Sequence, residues 1–292
     1  MTEIIKPNSA VGQSGELLNS PKQEIAISMP SSILANSDLP EYMQGADTGT
    51  ELMGQYVSPP RVSLVQGLSP KELKEQFGEG AIYSSPGNVL ISASSSDTPV
   101  RFVPIFFYPE FIEWNPRSAK IAIRHRTFDS NSPLAARCRS FDKKVREYPC
   151  PEIPDKIIRC QEHLNFVVML LDHELTGIPM LLSFSRTGFR DGKSLIDLIR
   201  MRRAAMYGLI FDLSAGERKN DEGAWYGFDI RSAISADGMT AYVDQDWFAY
   251  LQQQHEEFRA NYESGLMQAE YGDENSGGVD TSATANLPQK KF

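Results

Sequence analysis

The sequence predicts an all-β fold, a barrel or a sandwich, carrying a few helices and one long loop insertion. Three observations predict it. Short apolar or alternating runs recur through the middle of the chain, bounded by Gly, Pro, Asn and Asp. Two of the gaps between such runs are short and turn-like, as hairpins require. Only two segments keep an apolar stripe at helical spacing. Apolar residues make up 41% of the 292, enough for a sizeable core.

Taken in order, residues 1–55 are rich in Ser, Asn, Gly and Pro and read as a flexible N-terminal arm. From Val57 the pattern turns β-like. Arg61 to Gln66 is a short strand, and NVLISAS (88–94) another. RFVPIFFYPEFIEW (101–114) is long and aromatic, with bends expected at Pro104 and Pro109. AKIAIRHR (119–126) alternates apolar and basic residues, with Ile121 and Ile123 on the core side. LNFVVMLLD (164–172) and IPMLLSFS (178–185) form one expected hairpin. MYGLIFDLS (206–214) and WYGFDIRSA (225–233), around a polar turn, form a second.

The first helix runs from Asp191 to Arg203, with Leu195, Leu198 and Ile199 at helical spacing. The second runs from Asp246 to Met267, with Phe248, Leu251, His255, Phe258 and Tyr262 on one stripe. A small Greek-key barrel of the OB type fits the strand count over 56–235 and tolerates large loops; an unrelated sandwich would read alike. Residues 236–267 then hold a C-terminal helix, and 268–292 an acidic flexible tail.

The net charge of -9 is unevenly spread. Residues 101–210 hold 18 Lys and Arg against 12 Asp and Glu, a balance of +6, and the remainder balances at -15. This is the pattern of a basic working surface with acidic arms. No run approaches the roughly 18 apolar residues of a membrane span. The first residues show no basic start followed by an apolar block, so the expected compartment is the reducing cytoplasm.

All three cysteines lie in CRSFDKKVREYPCPEIPDKIIRCQEH (138–163), with one of the four histidines. Cys160 and His163 are a close pair, and Cys150 sits between two prolines. The segment has too few apolar residues to fold by itself, and a metal would supply the missing stabilisation. A structural zinc held by Cys138, Cys150, Cys160 and His163 is therefore expected, with His125 as a spare ligand.

The spacing C-x11-C-x9-C-x2-H resembles the zinc subdomain of the T4-type phage single-stranded DNA-binding proteins, H-x12-C-x9-C-x2-C set into an OB fold. His and Cys have exchanged ends. The order of PRVSLVQGLSP (60–70), VRFVPIFFYPEFIEWNPR (100–117), the cysteine loop and LSFSRTGFRDGKSLIDLI (182–199) is similar to that of other phage single-stranded DNA-binding proteins. The resemblance covers residues 57 to 231. It implies an OB fold, sequence-independent binding of single strands, and a role in phage replication, recombination or repair.

Single-strand binding needs a basic groove for phosphates and aromatic faces for bases. Period-two alternation puts Phe102, Phe106 and Tyr108 on one face, with Trp114 and Arg117 at the strand's end. Tyr108 and Trp114 are expected to be exposed. Lys120, Arg124 and Arg126 are expected on one face of the next strand. Lys143 and Lys144 come from the cysteine loop, and Arg186, Arg190 and Lys193 from SRTGFRDGK, which suits the phosphate backbone. The acidic tail ending in Phe292 is expected to recruit replication or recombination enzymes. Catalytic signatures are missing: no serine elbow, no His-Glu-x-x-His, no deaminase motif. A zinc nuclease and a replisome or virion adaptor are the alternative readings.

Overall fold

In the computed structural model, residues 59–264 are described, except 95, 97, 117, 118 and 222. The expected arm, the acidic tail, Arg117 and Phe292 lie outside the described residues. The elements are β1 (Arg61–Leu64), α1 (Lys71–Phe77), β2 (Ile82–Ser85), β3 (Val89–Ser92), β4 (Val100–Trp114) and β5 (Ile123–Thr127). They continue with α2 (Pro133–Arg139), α3 (Lys143–Arg146), β6 (Glu147–Pro149), β7 (Ile157–Leu170) and β8 (Met180–Phe184). Last come α4 (Phe189–Arg202), β9 (Phe211–Asn220), β10 (Gly223–Ser232) and α5 (Gln245–Glu263). Among the described residues, no helix is long and apolar enough to cross a membrane.

The strands form one ten-stranded sheet in the order β10-β9-β4-β7-β8-β1-β2-β3, with β5 added to β4 and β6 to β7. The expected closed barrel is not formed. β1 takes the outer edge of β8 in a parallel pairing at Arg61 and Leu181, so the sheet extends there instead of closing. It curls nonetheless. The side-chain amide of Gln66, just past β1, donates to the Tyr226 carbonyl (2.8 Å) and accepts from the Tyr226 N–H (2.9 Å), as a strand edge would. Gly80 permits this approach. Its φ is +84°, and a Cβ there would stand 2.6 Å from the Tyr226 ring.

β4 and β7 are the spine. They pair antiparallel from Phe102↔Leu170 to Trp114↔Arg159. Both β4 prolines are tolerated because, among the described residues, β4's other edge is paired only at 100–102, by β9, and at 111–114, by β5. Ile105 is bulged between Pro104 and Phe106, and the shift reverses the alternation. Phe102 therefore faces one core, and Phe106 and Tyr108 the other, against the expectation that the three share a face. The Nδ1–H of His255 donates to the Ile105 carbonyl (2.7 Å).

The first core gathers Phe102, Leu164, Phe166, Leu182, Phe184 and Phe211 under Leu195 of α4. Gly192 lets α4 settle onto β8: a Cβ there would meet Phe184 at 2.8 Å and Leu164 at 3.0 Å. The second core, on the opposite sheet face, holds Val103, Ile105, Phe106, Tyr108, Val167, Met169 and Leu181 under Trp247 and Leu251 of α5. α5 starts at Asp244, whose carboxylate accepts from the Trp247 N–H (2.8 Å). A small third core joins Phe111, Ala135, Cys138 and Cys160 beneath α2.

Both expected hairpins are present, as β7–β8 and β9–β10, the second beginning after a 3₁₀ turn at Met206–Gly208. The strand expected over 119–126 begins only at Ile123. Before it, a turn is held by Asn115, whose N–H donates to the Ala122 carbonyl (2.8 Å) and whose side chain donates to that of Ile121 (3.0 Å). Ile121 is consequently exposed, not core.

Candidate nucleic-acid interface

The register assigns each strand residue to a face. Val62 and Leu64 enter the first core, so Arg61 and Ser63 lie on the opposite face, in line with Ser183 of β8 and Asn165 and His163 of β7. Glu110 of β4 stands opposite His163, and Arg126 of β5 opposite Ile112 on the same face. These side chains join into a row across the strands. The Ser183 hydroxyl donates to Asn165 Oδ1 (2.6 Å), and Asn165 Nδ2 donates to Glu110 Oε2 (2.9 Å). The Arg126 guanidinium closes on Glu110 Oε1 (2.7 Å). Glu110 and Asn165 are fully buried, and His163 nearly so.

Burial pushes the His163 imidazole down to about 3, and the charges of Arg61, Arg186 and Arg126 push it the same way. The histidine is thus held neutral among positive charges, and the buried Glu110 carboxylate opposite it is paired with Arg126. Burial, then the Glu110 charge, pushes the Tyr108 hydroxyl well above its ordinary range. Arg186 follows β8 in a left-handed conformation, φ +49°, that non-glycine residues rarely take.

The expected binding residues are split by this geometry. Arg126 belongs to the row, and Arg186 follows β8 as an exposed residue whose charge acts on His163. Arg124 does not share a face with Arg126, because a register shift between Glu113 and Trp114 displaces it. It binds Glu152 (2.8 Å) and approaches Glu113 (3.6 Å) on the other side of the sheet. Phe106 and Tyr108 are buried in the second core; the expected exposed Tyr108 keeps 2% of its surface. The α5 side chain Tyr262 packs against both rings at a tilt, 5.8 Å from each, which keeps them from solvent. Trp114 is half-buried, its ring 6.2 Å from that of His163. Lys120 is exposed at the rim of a small pocket with Cys150 and Glu152. Lys143 and Lys144 are exposed on α3, and Arg190 and Lys193 on α4, away from the row.

The expected zinc ligands do not converge. Cys160 and His163 are three residues apart on one continuous strand, so they project from opposite faces of the sheet. Cys160 packs with Cys138 beneath α2, and His163 lies in the polar row. Cys138 donates to the Ile112 carbonyl (3.8 Å) and Cys160 to Glu113 Oε1 (3.6 Å), and the interaction between the two thiols raises Cys138 and lowers Cys160. Cys150 donates to Glu152 (3.2 Å) at a separate position beyond β6. His125, the spare, reaches only Glu113 (3.7 Å).

Glu113 is 1% exposed and is held by Arg137 at 2.7 Å and Arg124 at 3.6 Å, a setting hostile to a second cation. These groups, with His125, Leu134 and Tyr148, line a pocket of about 330 Å³. Among the described residues, no three His, Cys, Asp or Glu side chains are grouped to hold a metal. The residues present do not fit a tetrahedral zinc.

Arg61, Glu110, Asn165, Ser183 and Glu113 were not singled out in the sequence. The two glutamates carried a readable signal: each is an acid inside the aromatic run 101–114, at a position a strand must bury.

Fold and site define a class: a curled, open mixed sheet crossed on one face by a polar row from Ser183 through Asn165 and Glu110 to Arg126. More particularly, the chain belongs to the family of Pam3 phage gp34-like proteins, whose family model matches residues 30–263. It is thereby a bacteriophage protein. No curated protein and no solved structure matches it.

Proposed function

We propose that this chain is a sequence-independent single-stranded DNA-binding protein with an OB-like fold, acting in phage DNA replication, recombination or repair. The observation that carries the reading is the strand order, together with Arg61, Arg126 and the exposed Arg186, whose charges all act on His163 on the β7 face opposite the α4 core. In chain order, β4, β7, β8, β9 and β10 lie as β10-β9-β4-β7-β8, with α4 between the third and fourth. An OB barrel opened between its third and fifth strands has this order. OB folds take oligonucleotides on strands two and three and on the loop joining strands one and two. Those correspond here to β7, β8 and the insertion 115–156. Guanidiniums suit phosphate oxygens by their forked geometry, and phosphate contacts carry no sequence information. The acidic segment before Phe292 is the part of the chain suited to recruiting replication or recombination enzymes.

The test is fluorescence anisotropy of a labelled oligo-dT against duplex of equal length, over a salt series. Binding of the single strand should be tighter and should weaken steeply with salt. Arg186→Ala should weaken it about tenfold and flatten the salt slope by about one. Equal affinity for both forms, or an unchanged slope in Arg186→Ala, would refute the reading.

A further inference from the structure

Phe141 lies within the insertion that joins β4 to β7, between α2 and α3. It is the most exposed large apolar side chain among the described residues, at 103% of its reference surface. The other large aromatics named as exposed, Tyr242 and Phe248, keep less than half of theirs.

The backbone that presents this ring is fixed on both sides. The Ser140 N–H donates to the Arg137 carbonyl (3.1 Å), and the Ser140 hydroxyl accepts from the Asp142 N–H (3.1 Å). The Asp142 carboxylate accepts from the Lys144 N–H (2.9 Å) and caps α3. α2 is itself anchored to the spine. Arg137 binds Glu113 (2.7 Å), Arg139 binds Glu162 (2.9 Å) and lies 4.5 Å above the Phe111 ring, and Cys138 is buried. Exposure of Phe141 is therefore not the result of a slack loop. A rigid base holds an aromatic face in water.

The surroundings select the partner. Residues 137–146 carry Arg137, Arg139, Lys143, Lys144 and Arg146 against the single acid Asp142, already engaged as a cap. Lys143 and Lys144 flank the ring and are exposed. The other exposed apolar side chain in the segment is Val145, 45% exposed, and two side chains offer far less than the roughly 800 Å² per partner of a standard protein interface. An isolated aromatic face beside two ammonium groups matches an unpaired base with its flanking phosphates.

We infer that Phe141 is a base-stacking platform for single-stranded DNA, with Lys143 and Lys144 holding the adjacent phosphates. The inference rests on the single-strand reading and locates part of its interface on the β4–β7 insertion. A fully exposed side chain contributes little to the core, so substitution there leaves the fold intact, which circular dichroism checks.

Oligo-dT affinity is measured for the unaltered chain, Phe141→Ala, Phe141→Leu and Phe141→Trp. Both non-aromatic variants should bind roughly tenfold more weakly, with the salt slope unchanged, because stacking releases no counterions. Phe141→Trp should retain affinity, and the added indole emission should be quenched on binding. Failure of the unaltered chain to bind would remove the single-strand reading and this site together. Binding by the unaltered chain with Phe141→Ala equal to it within twofold, or no quenching in Phe141→Trp, would overturn the stacking site alone.

Discussion

Acidification should destabilise this protein through one residue, His163. The imidazole is 5% exposed, stands opposite Glu110 in the β4–β7 register, and is pushed down to about 3 by burial and by Arg61, Arg186 and Arg126. In the unfolded chain it titrates near its ordinary value of about 6.5. Between those values the unfolded chain binds a proton that the folded chain refuses. Stability from the neutral imidazole is complete above about pH 6.5 and falls as the pH drops toward 3. One proton is worth about 1.4 kcal/mol per pH unit once fully bound, so about 2 to 2.5 kcal/mol should be lost between pH 6.5 and 4.5. That is a large share of the roughly 5–15 kcal/mol that holds a domain together. Urea unfolding at half-unit steps from pH 7 to 4.5 measures it, with His163→Gln as the reference because it keeps polarity and cannot titrate. The two stability profiles should converge as pH falls, the unaltered chain having the steeper slope by up to one proton. Parallel profiles would refute the argument that this imidazole is refused its proton by the fold.

Two further outcomes follow from the other face of the sheet. Glu113→Gln leaves Arg137 and Arg124 without their buried counter-charge, and should lower stability by about 2 to 4 kcal/mol in urea unfolding at pH 7; a loss below about 1 kcal/mol would mean solvent already screens the pair. For metal, protein prepared with added zinc should contain the same amount in the unaltered chain and in His163→Gln, because the imidazole projects away from Cys160. A lower zinc content in His163→Gln, by elemental analysis, would contradict the opposite-face placement.

The strands were legible where period and punctuation agreed. The aromatic run 101–114, the two hairpins and both long helices follow from apolar spacing alone. The failures have specific physical causes. A single bulged residue, Ile105, reverses which side chains share a face, and nothing in Pro104-Ile105-Phe106 announces on which side of the proline the extra residue falls. Closure of the barrel depends on whether a distant strand captures the edge of β8, and β1 does so from more than a hundred residues away. The cysteine loop was misjudged for a more local reason. Charges and prolines masked the start of β7 at Ile157, although Ile158 and Cys160 alternate inward between the exposed Ile157 and Arg159. Once that alternation is granted, x2 spacing on a strand separates Cys160 from His163.

The polar row shows why site residues resist single-sequence reading even when the strands are found. Ser183, Asn165, Glu110 and Arg126 come from four strands, and nothing in those segments joins one to the next. They become one object only through the register: Ser183 stands opposite Asn165, while Glu110 and Arg126 join diagonally, Glu110 lying two residues from Tyr108, which is opposite Asn165, and two from Ile112, which is opposite Arg126. A hydrogen-bonded chain of this kind satisfies its buried members, so Asn165 and Glu110 can lie inside the sheet without destabilising it. It also disposes of the charge. Glu110 is paired with Arg126, and the charges of Arg61, Arg186 and Arg126 all act on His163. The +6 balance of residues 101–210 does not predict that arrangement, since Arg124, Arg137 and Arg139 are spent on carboxylates of the opposite face. Which arginines reach the β7–β8 face is thus decided by the register inside the fold, and on the single-strand reading the exposed Arg186, just past β8, is the side chain whose substitution tests for a phosphate contact there.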